Sequence, residues 1–511
     1  MSTREVALEH AVDRVLDRWP TAGLAVAAVR AGEPTWFHCH GVTNVTTGAP
    51  VTPDTVFRIG SLTKTLTAVA VMQLWEQGRI DLDAPANDYL STFRLRRARP
   101  DLEPATVRHL LTHTAGVGYW RRVSDLCRPV LGAGVEARHL RPLADYYRRG
   151  LRQEIQPGTK WVYSNHGFAA LGQIVEDVSG QDLGGYLRKY VFDPLGMERT
   201  ELVRSERVWP GLATGYVVRS RGLVCVPDRE IPTPGGGGLY STAADLARYL
   251  GCLLHEGSGP HHRILQPSTV AQMFSPHYQP DPRLSGMGLG FELGAEDGHR
   301  TVGKTGVVRG FLSAMTMAPD AGVGVVALAN TGGLNGQGPP IAVGTSLLRH
   351  LIGLPEDQVR SDIPPRPDVW AELCGWYAPP PGTVTNLFAR ALMGAGAEVV
   401  VDGRHLVLKA LSPIPAVRHG VPLCPADPND PYVFRIDYSA LGLGTMPVVF
   451  AMTDGQCRAP RLWLDLMAFD KRPDARNPRR LAEGALAAGV LTAGVAGLAT
   501  KTRHELSRSS R

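Results

Sequence analysis

The sequence predicts an α/β (α+β) protein in two main parts: an antiparallel sheet flanked by helices and carrying an inserted helical region, then a small all-β, barrel-like domain. Three observations predict it. Apolar alternation with period two appears at 23–44 and returns from 287 to 329, near the two ends of the first 350 residues. Helical patterns fill the middle, so both ends can build one sheet around them. After the Pro-rich stretch Ile363-Pro-Pro-Arg-Pro367, short alternating runs are split by Pro, Gly and Asp clusters.

Taken in order, 5–18 has a helical pattern, and 23–44 reads as two strands around the turn Ala31-Gly32-Glu33-Pro34. Residues 61–77 form a helix apolar on nearly all sides, which predicts burial, and Gly78 ends it. Helical patterns follow at 143–153, 166–179 and 182–192; Thr242 is placed to cap a helix over 243–254. Strands are expected at 287–293, 299–305, 311–318 and 323–329, with a closing helix at 340–352. In the second part the alternating runs lie at 398–401, 405–409, 432–438, 446–452 and 461–469. The expected domains are 1–360, a linker at 361–371, the β domain 372–470 and a basic tail 471–511.

Apolar residues make up 43% and charged residues 20% of the 511, globular values. The net charge of +6 sits entirely in residues 471–511, so the remaining chain is balanced and offers no nucleic-acid footprint. Residues 1–20 interleave charges with no apolar run, and the seven cysteines are scattered without a Cys-x-x-Cys pair. Those features lead us to expect reduced thiols and a cytoplasmic location. The tail has 17 uncharged residues, Gly484 to Thr500, within an expected apolar helix at 481–500. Such a helix could associate with a membrane, but its Ala and Gly are weakly apolar and Glu483 sits at its edge, which favours a helix lying on the body. Oligomeric state is not readable.

The chemistry starts at Ile59-Gly60-Ser61-Leu62-Thr63-Lys64, where a hydroxyl and an amine three residues apart share one side of a helical turn. Only seven of the chain's 54 basic residues are lysines, and this is its sole Ser-x-x-Lys. Lysine, unlike arginine, can lose its proton near neutrality when desolvated or set beside another cation. Two further stretches join it. Tyr163-Ser164-Asn165 offers a phenol and a carboxamide from one loop, and Lys304-Thr305-Gly306 offers a fixed cation, a hydroxyl and a strand edge without a side chain. Two histidine pairs have spacings that could ligate a metal. His38 and His40 have no third ligand nearby, and His109 and His113 lack the glutamate of a zinc-protease helix, so packing and capping roles are expected and no metal or other cofactor.

Together, FRIGSLTKTLTA around Ser61, VRHLLTHTAG at 107–116, YSN at 163–165, VFDPLGM at 191–197, GGGLYSTAADLARYL at 236–250 and GKTG at 303–306 resemble the serine β-lactamase and penicillin-binding-protein superfamily. The branch is that of class C lactamases, DD-peptidases and related esterases. The resemblance spans about residues 10–350 and implies a β-lactamase/transpeptidase-like fold. Leu373-Cys-Gly-Trp-Tyr377 looks like the start of the lipocalin-like domain that often follows it. It further implies Ser61 as acylated nucleophile, Lys64 as its proton acceptor and Tyr163 as second proton carrier. Asn165, Lys304, Thr305 and Gly306 would bind the substrate amide and carboxylate, with the N–H groups of Ser61 and Val307 facing the oxyanion. Many related esterases carry histidine where Lys304 stands, so the third motif leans towards a carboxylate-bearing substrate.

The leading expectation is a serine hydrolase acting on an ester or small peptide-like amide. Two alternatives remain open at this level: an acyltransferase or thioesterase that releases or cyclises a carrier-bound peptide, and a membrane-tethered penicillin-binding sensor that acylates without turnover.

Overall fold

The computed structural model describes residues 3–481 except 32–34, 121–140, 221, 333–337, 384, 388–389, 391–392, 413–414, 440–443, 453–459 and 479. The expected apolar helix at 481–500 lies outside the described residues except for Leu481. Among the described residues no helix is long and apolar enough to cross a membrane.

The chain opens with α1 (Thr3–Arg18), β1 (Gly23–Arg30), β2 (Trp36–Asn44) and the short β3 (Ala49–Pro50). The helical middle contains α2 (Thr63–Glu76), α3 (Asn165–Ser179) and α4 (Ala243–Leu254). Then come β4 (Gly286–Met287), β5 (Glu292–Glu296), β6 (His299–Val308), β7 (Phe311–Ala318), β8 (Val323–Ala329) and α5 (Pro339–Leu351). The eight strands form one sheet in the order β4-β5-β6-β7-β8-β1-β2-β3. The two ends of this part meet where β1 runs antiparallel to β8, with Val26 opposite Ala327.

Alternation assigns the two faces of β1. Leu24, Val26 and Ala28 face α1 and α5, packing with Leu8, Val12, Val343 and Leu347. Ala25, Ala27 and Val29 face the helical middle and join a core that contains Leu66, Val69, Met72 and Phe168. Of the 14 residues of α2, 12 are buried, because a helix apolar all round has no face to give to water. At about 1.5–3 kcal/mol for each fully buried Leu, Val or Met, this helix anchors the core. It ends as expected at Gly78, whose φ is +69°.

Two local expectations need correction. The 143–153 pattern is not one helix: Leu143–Tyr146 is a single helical turn, and Leu151–Gln153 is a strand parallel to Leu95–Arg97. The expected strand at 287–293 is instead two short strands, β4 and β5.

The second part is a closed barrel of eight strands: β9 (Gly375–Ala378), β10 (Ala397–Asp402), β11 (His405–Ala410), β12 (Val421–Pro425), β13 (Val433–Asp437), β14 (Thr445–Met452), β15 (Pro460–Leu464) and β16 (Met467–Arg472). Closure is made by β9 pairing with β16, whose end passes the boundary expected at 470. Tyr377, Val399, Leu408, Phe434, Ile436, Phe450 and Phe469 fill its interior. The barrel docks through an apolar contact in which Leu284 meets Val449, Trp463 and Ala468. Arg283 also pairs with Asp430 at 2.7 Å. On another side the Glu154 carboxylate accepts the N–H groups of Thr383 and Thr385, each at 2.8 Å.

Candidate functional site

Ser61 sits in a 3₁₀ turn, Gly60–Leu62, and the α-helix proper starts two residues later at Thr63. A 3₁₀ turn eclipses residues three apart, so Ser61 and Lys64 still lie on one side. Two glycines bring β6 against this turn. A Cβ on Gly60, whose φ is +52°, would lie 2.8 Å from the Val307 nitrogen; one on Gly306 would lie 2.1 Å from the Ile59 oxygen and 3.0 Å from the Ser61 nitrogen. The missing side chain at Gly306 therefore admits the nucleophile turn. Ser313 pins the same seam by donating to the Ile59 carbonyl at 2.8 Å. The Ser61 and Val307 nitrogens thus flank one seam.

Lys64 is fully buried. Its Nζ donates to Ser61 Oγ at 3.1 Å, to Asn165 Oδ1 at 2.6 Å and to the Gly236 carbonyl. The last contact explains the run Pro234-Gly-Gly-Gly-Gly238, which packs on the start of α3: a Cβ on Gly236 would stand 2.9 Å from the Asn165 oxygen. Gly236→Ala is therefore expected to destabilise the fold by about 1–3 kcal/mol, as overpacking does, read as a lowered midpoint in urea unfolding.

Tyr163 also reaches the nucleophile, its hydroxyl donating to Ser61 Oγ at 2.6 Å. Two cations face its ring, Lys64 Nζ at 4.9 Å and Lys304 Nζ at 5.1 Å from the centroid. Burial lowers the Lys64 ammonium below ordinary lysine, and Lys304 adds to this by repulsion. Burial alone would raise the Tyr163 phenol, but the charges of Lys64 and Lys304 and the hydrogen bonds to Lys64 and Ser61 outweigh it and hold it below the usual tyrosine value. The two groups titrate as a pair. An amine and a phenol on one alcohol, both held below their ordinary values, can take its proton and later return it.

Lys304 is also buried and pairs with Glu292 of β5, which keeps its ammonium charged despite burial. β5 ends its pairing at Gly303, so among the described residues β6 has no strand partner on that edge from Lys304 onward. That open edge, beside Ser61, can receive an extended acyl group.

A family model for beta-lactamases matches residues 8–343. The chain belongs to the beta-lactamase family. This is a beta-lactamase-fold family of serine hydrolases, with esterase, penicillin-binding and D-aminopeptidase relatives. Esterase EstB of Burkholderia gladioli is 33% identical over 270 residues, 48% of this chain and 68% of EstB. Penicillin-binding protein 4 of Amycolatopsis lactamdurans is 30% identical over 361 residues, 66% of this chain and 88% of the relative. Among solved structures, SurE superposes with a TM-score of 0.60 at 25% identity, covering 92% of this chain and 99% of its own. That likeness extends across the barrel.

Within this beta-lactamase fold the structure brings Ser61, Lys64, Tyr163 and Asn165 into one hydrogen-bonded group. Lys304 stands over the Tyr163 ring, Thr305 is half-buried, and Val307 is 36% exposed at the seam. Two participants, Glu292 and Asp465, were not legible in the sequence, and a third, His113, has the packing role expected of it. Glu292 meets Lys304 only through sheet register. His113 packs under Tyr163, ring centroids 4.6 Å apart. Asp465 of the barrel's β15–β16 turn takes the left-handed φ of +50°, is hydrogen-bonded to Ser285 and faces Glu292. Burial pushes its carboxyl above the usual range, and its Oδ1 has no hydrogen-bond partner among the described residues. His109, by contrast, has the capping role expected of it, closing a reciprocal cap with Thr106.

Proposed function

We propose that this chain is a serine hydrolase that forms an acyl-enzyme on Ser61 and acts on an ester or a small peptide-like amide. The observation that carries this is the convergence of Tyr163 at 2.6 Å and Lys64 at 3.1 Å on one hydroxyl. In this reading the pair removes the Ser61 proton as its oxygen attacks the acyl carbon, and the N–H groups of Ser61 and Val307 hold the oxyanion. Tyr163 then delivers the proton to the departing alcohol or amine, and the same groups activate water to release the acid. Asn165 holds Lys64 and presents its remaining amide N–H groups to the substrate, while Lys304 and Thr305 line the β6 edge. The lipocalin-like reading of the barrel rests on Leu373-Cys-Gly-Trp-Tyr377, at the start of its first strand.

The names of Esterase EstB and of the D-aminopeptidase of Brucella anthropi agree with acyl chemistry on esters and peptide-like amides. A panel of p-nitrophenyl esters and amino-acid amides, with products weighed by mass, tests the proposal. Acid products formed with water support it. Failure of every ester and amide to turn over overturns it, and exclusive transfer to an added amine makes the chain an acyltransferase.

The charge around Lys304 revises the substrate expected. Lys304 is already paired with Glu292, so neutral or amine-bearing acyl groups fit better than acids. Glu292→Gln is expected to raise kcat/KM for a succinyl ester about tenfold relative to its acetyl counterpart, by removing one competing charge. Paired kinetics on the two esters check this.

A further inference from the structure

We infer that His113 is the positioning residue of Tyr163. The inference rests on the reading of Tyr163 as a proton carrier to Ser61. His113 holds the backbone on both sides of the tyrosine. Its carbonyl accepts the N–H of Val162 at 2.7 Å, and its Nδ1 accepts the N–H of Ser164 at 3.2 Å. Its ring supports the phenol from beneath, with centroids 4.6 Å apart and planes at 39°. Trp161 and Phe168 close around the imidazole at 6.2 and 5.1 Å.

The loop that carries His113 is bonded along its length to the segment that carries Tyr163. Gly158 donates to the Thr114 carbonyl at 2.9 Å and Glu154 to the Gly116 carbonyl at 2.8 Å, while the Ser164 hydroxyl donates to Gly118 at 3.0 Å. His113 itself is 3% exposed and held at a φ of +59°, a conformation that costs a non-glycine residue energy and persists where surroundings demand it. Accepting from Ser164 requires Nδ1 to be unprotonated, so the ring must stay neutral with its proton on Nε2. Burial, then the charges of Lys64 and Lys304, keep it so, well below the ordinary histidine value. A protonated ring would turn an N–H against the Ser164 N–H and add a third cation beside the phenol. Displacement of a reacting group by an ångström costs about a hundredfold in rate.

The test is a double-mutant cycle with fluorophosphonate titration of active sites, so that rates refer to folded enzyme only. His113→Phe fills the space without an acceptor; His113→Asn tolerates the backbone conformation, offers an acceptor oxygen and guards against failure of the first to fold. With Tyr163 present, kcat per titrated site should fall about a hundredfold in His113→Phe and about tenfold in His113→Asn, with KM unchanged. In a Tyr163→Phe background each substitution should add less than a twofold loss. If the loss persists undiminished in that background, or if kcat per titrated site is unaltered by either substitution, the inference is overturned. If Tyr163→Phe alone retains the full rate, the proton-carrier reading beneath it has failed instead.

Discussion

Ser61→Ala is expected to lower kcat for an activated ester by about 10⁵-fold or more, the scale seen when the nucleophile of a covalent catalytic group is removed. The fold should hardly notice. Ser61 lies in a 3₁₀ turn whose fixed bonds are made by its neighbours: Thr63 Oγ1 donates to the Gly60 carbonyl at 2.7 Å and accepts from Leu239 N–H at 3.1 Å. Among the described residues the hydroxyl itself bonds only Lys64 and Tyr163, which keep other partners or a solvent-facing space when it leaves. A thermal melt within a few degrees of wild type, together with the collapse in turnover, is the result expected.

Lys64→Met should produce the second largest effect and a different signature. Loss of the proton acceptor is expected to cost kcat/KM about 10³–10⁴-fold, the upper part of the range for general acid–base groups. Here stability should fall too, because Asn165 Oδ1 and the Gly236 carbonyl lose a buried donor, at about 1–3 kcal/mol for each group left unsatisfied. The pH dependence separates the chemistry from the packing. Activity needs the amine without its proton, so kcat/KM rises with pH as that form fills. Burial and Lys304 lower the Lys64 ammonium, so the midpoint of this rise lies below ordinary lysine, and it belongs to the Lys64–Tyr163 pair. In Lys64→Met the ascending limb should move or vanish; an unchanged limb would remove Lys64 from the proton path. Stability profiles of both proteins, by urea unfolding at neutral pH, measure the packing share.

Much of this site could be read before any coordinates, because its signals are local. Ser61 and Lys64 are joined by one helical turn, Tyr163 and Asn165 by one loop, and Lys304 to Val307 by one strand. The glycines at 60 and 236 mark close approach of backbones, which is also a local signal. Contacts fixed by long-range register were not readable. Glu292 meets Lys304 because β5 lies beside β6, and Leu151–Gln153 is a strand because it found Leu95–Arg97. Left-handed residues other than glycine give no signal, so Asp465 was missed, and His113, expected to pack, gave no sign that its partner is Tyr163. The turn at Asp465 splits the run 461–469 into β15 and β16. In the barrel, β9 with four residues and β12 with prolines at 422 and 425 fell below the pattern that alternation needs.

The central claim, acylation of one hydroxyl, is measured most directly by trapping it. The protein is treated with a fluorophosphonate or a slowly released activated ester, digested with trypsin, and mapped by mass spectrometry. The account predicts a single stoichiometric adduct on Ser61, in the peptide spanning residues 59–64, and none in Ser61→Ala. Turnover by wild type with no adduct on that peptide, or a stoichiometric adduct on another residue, would contradict it.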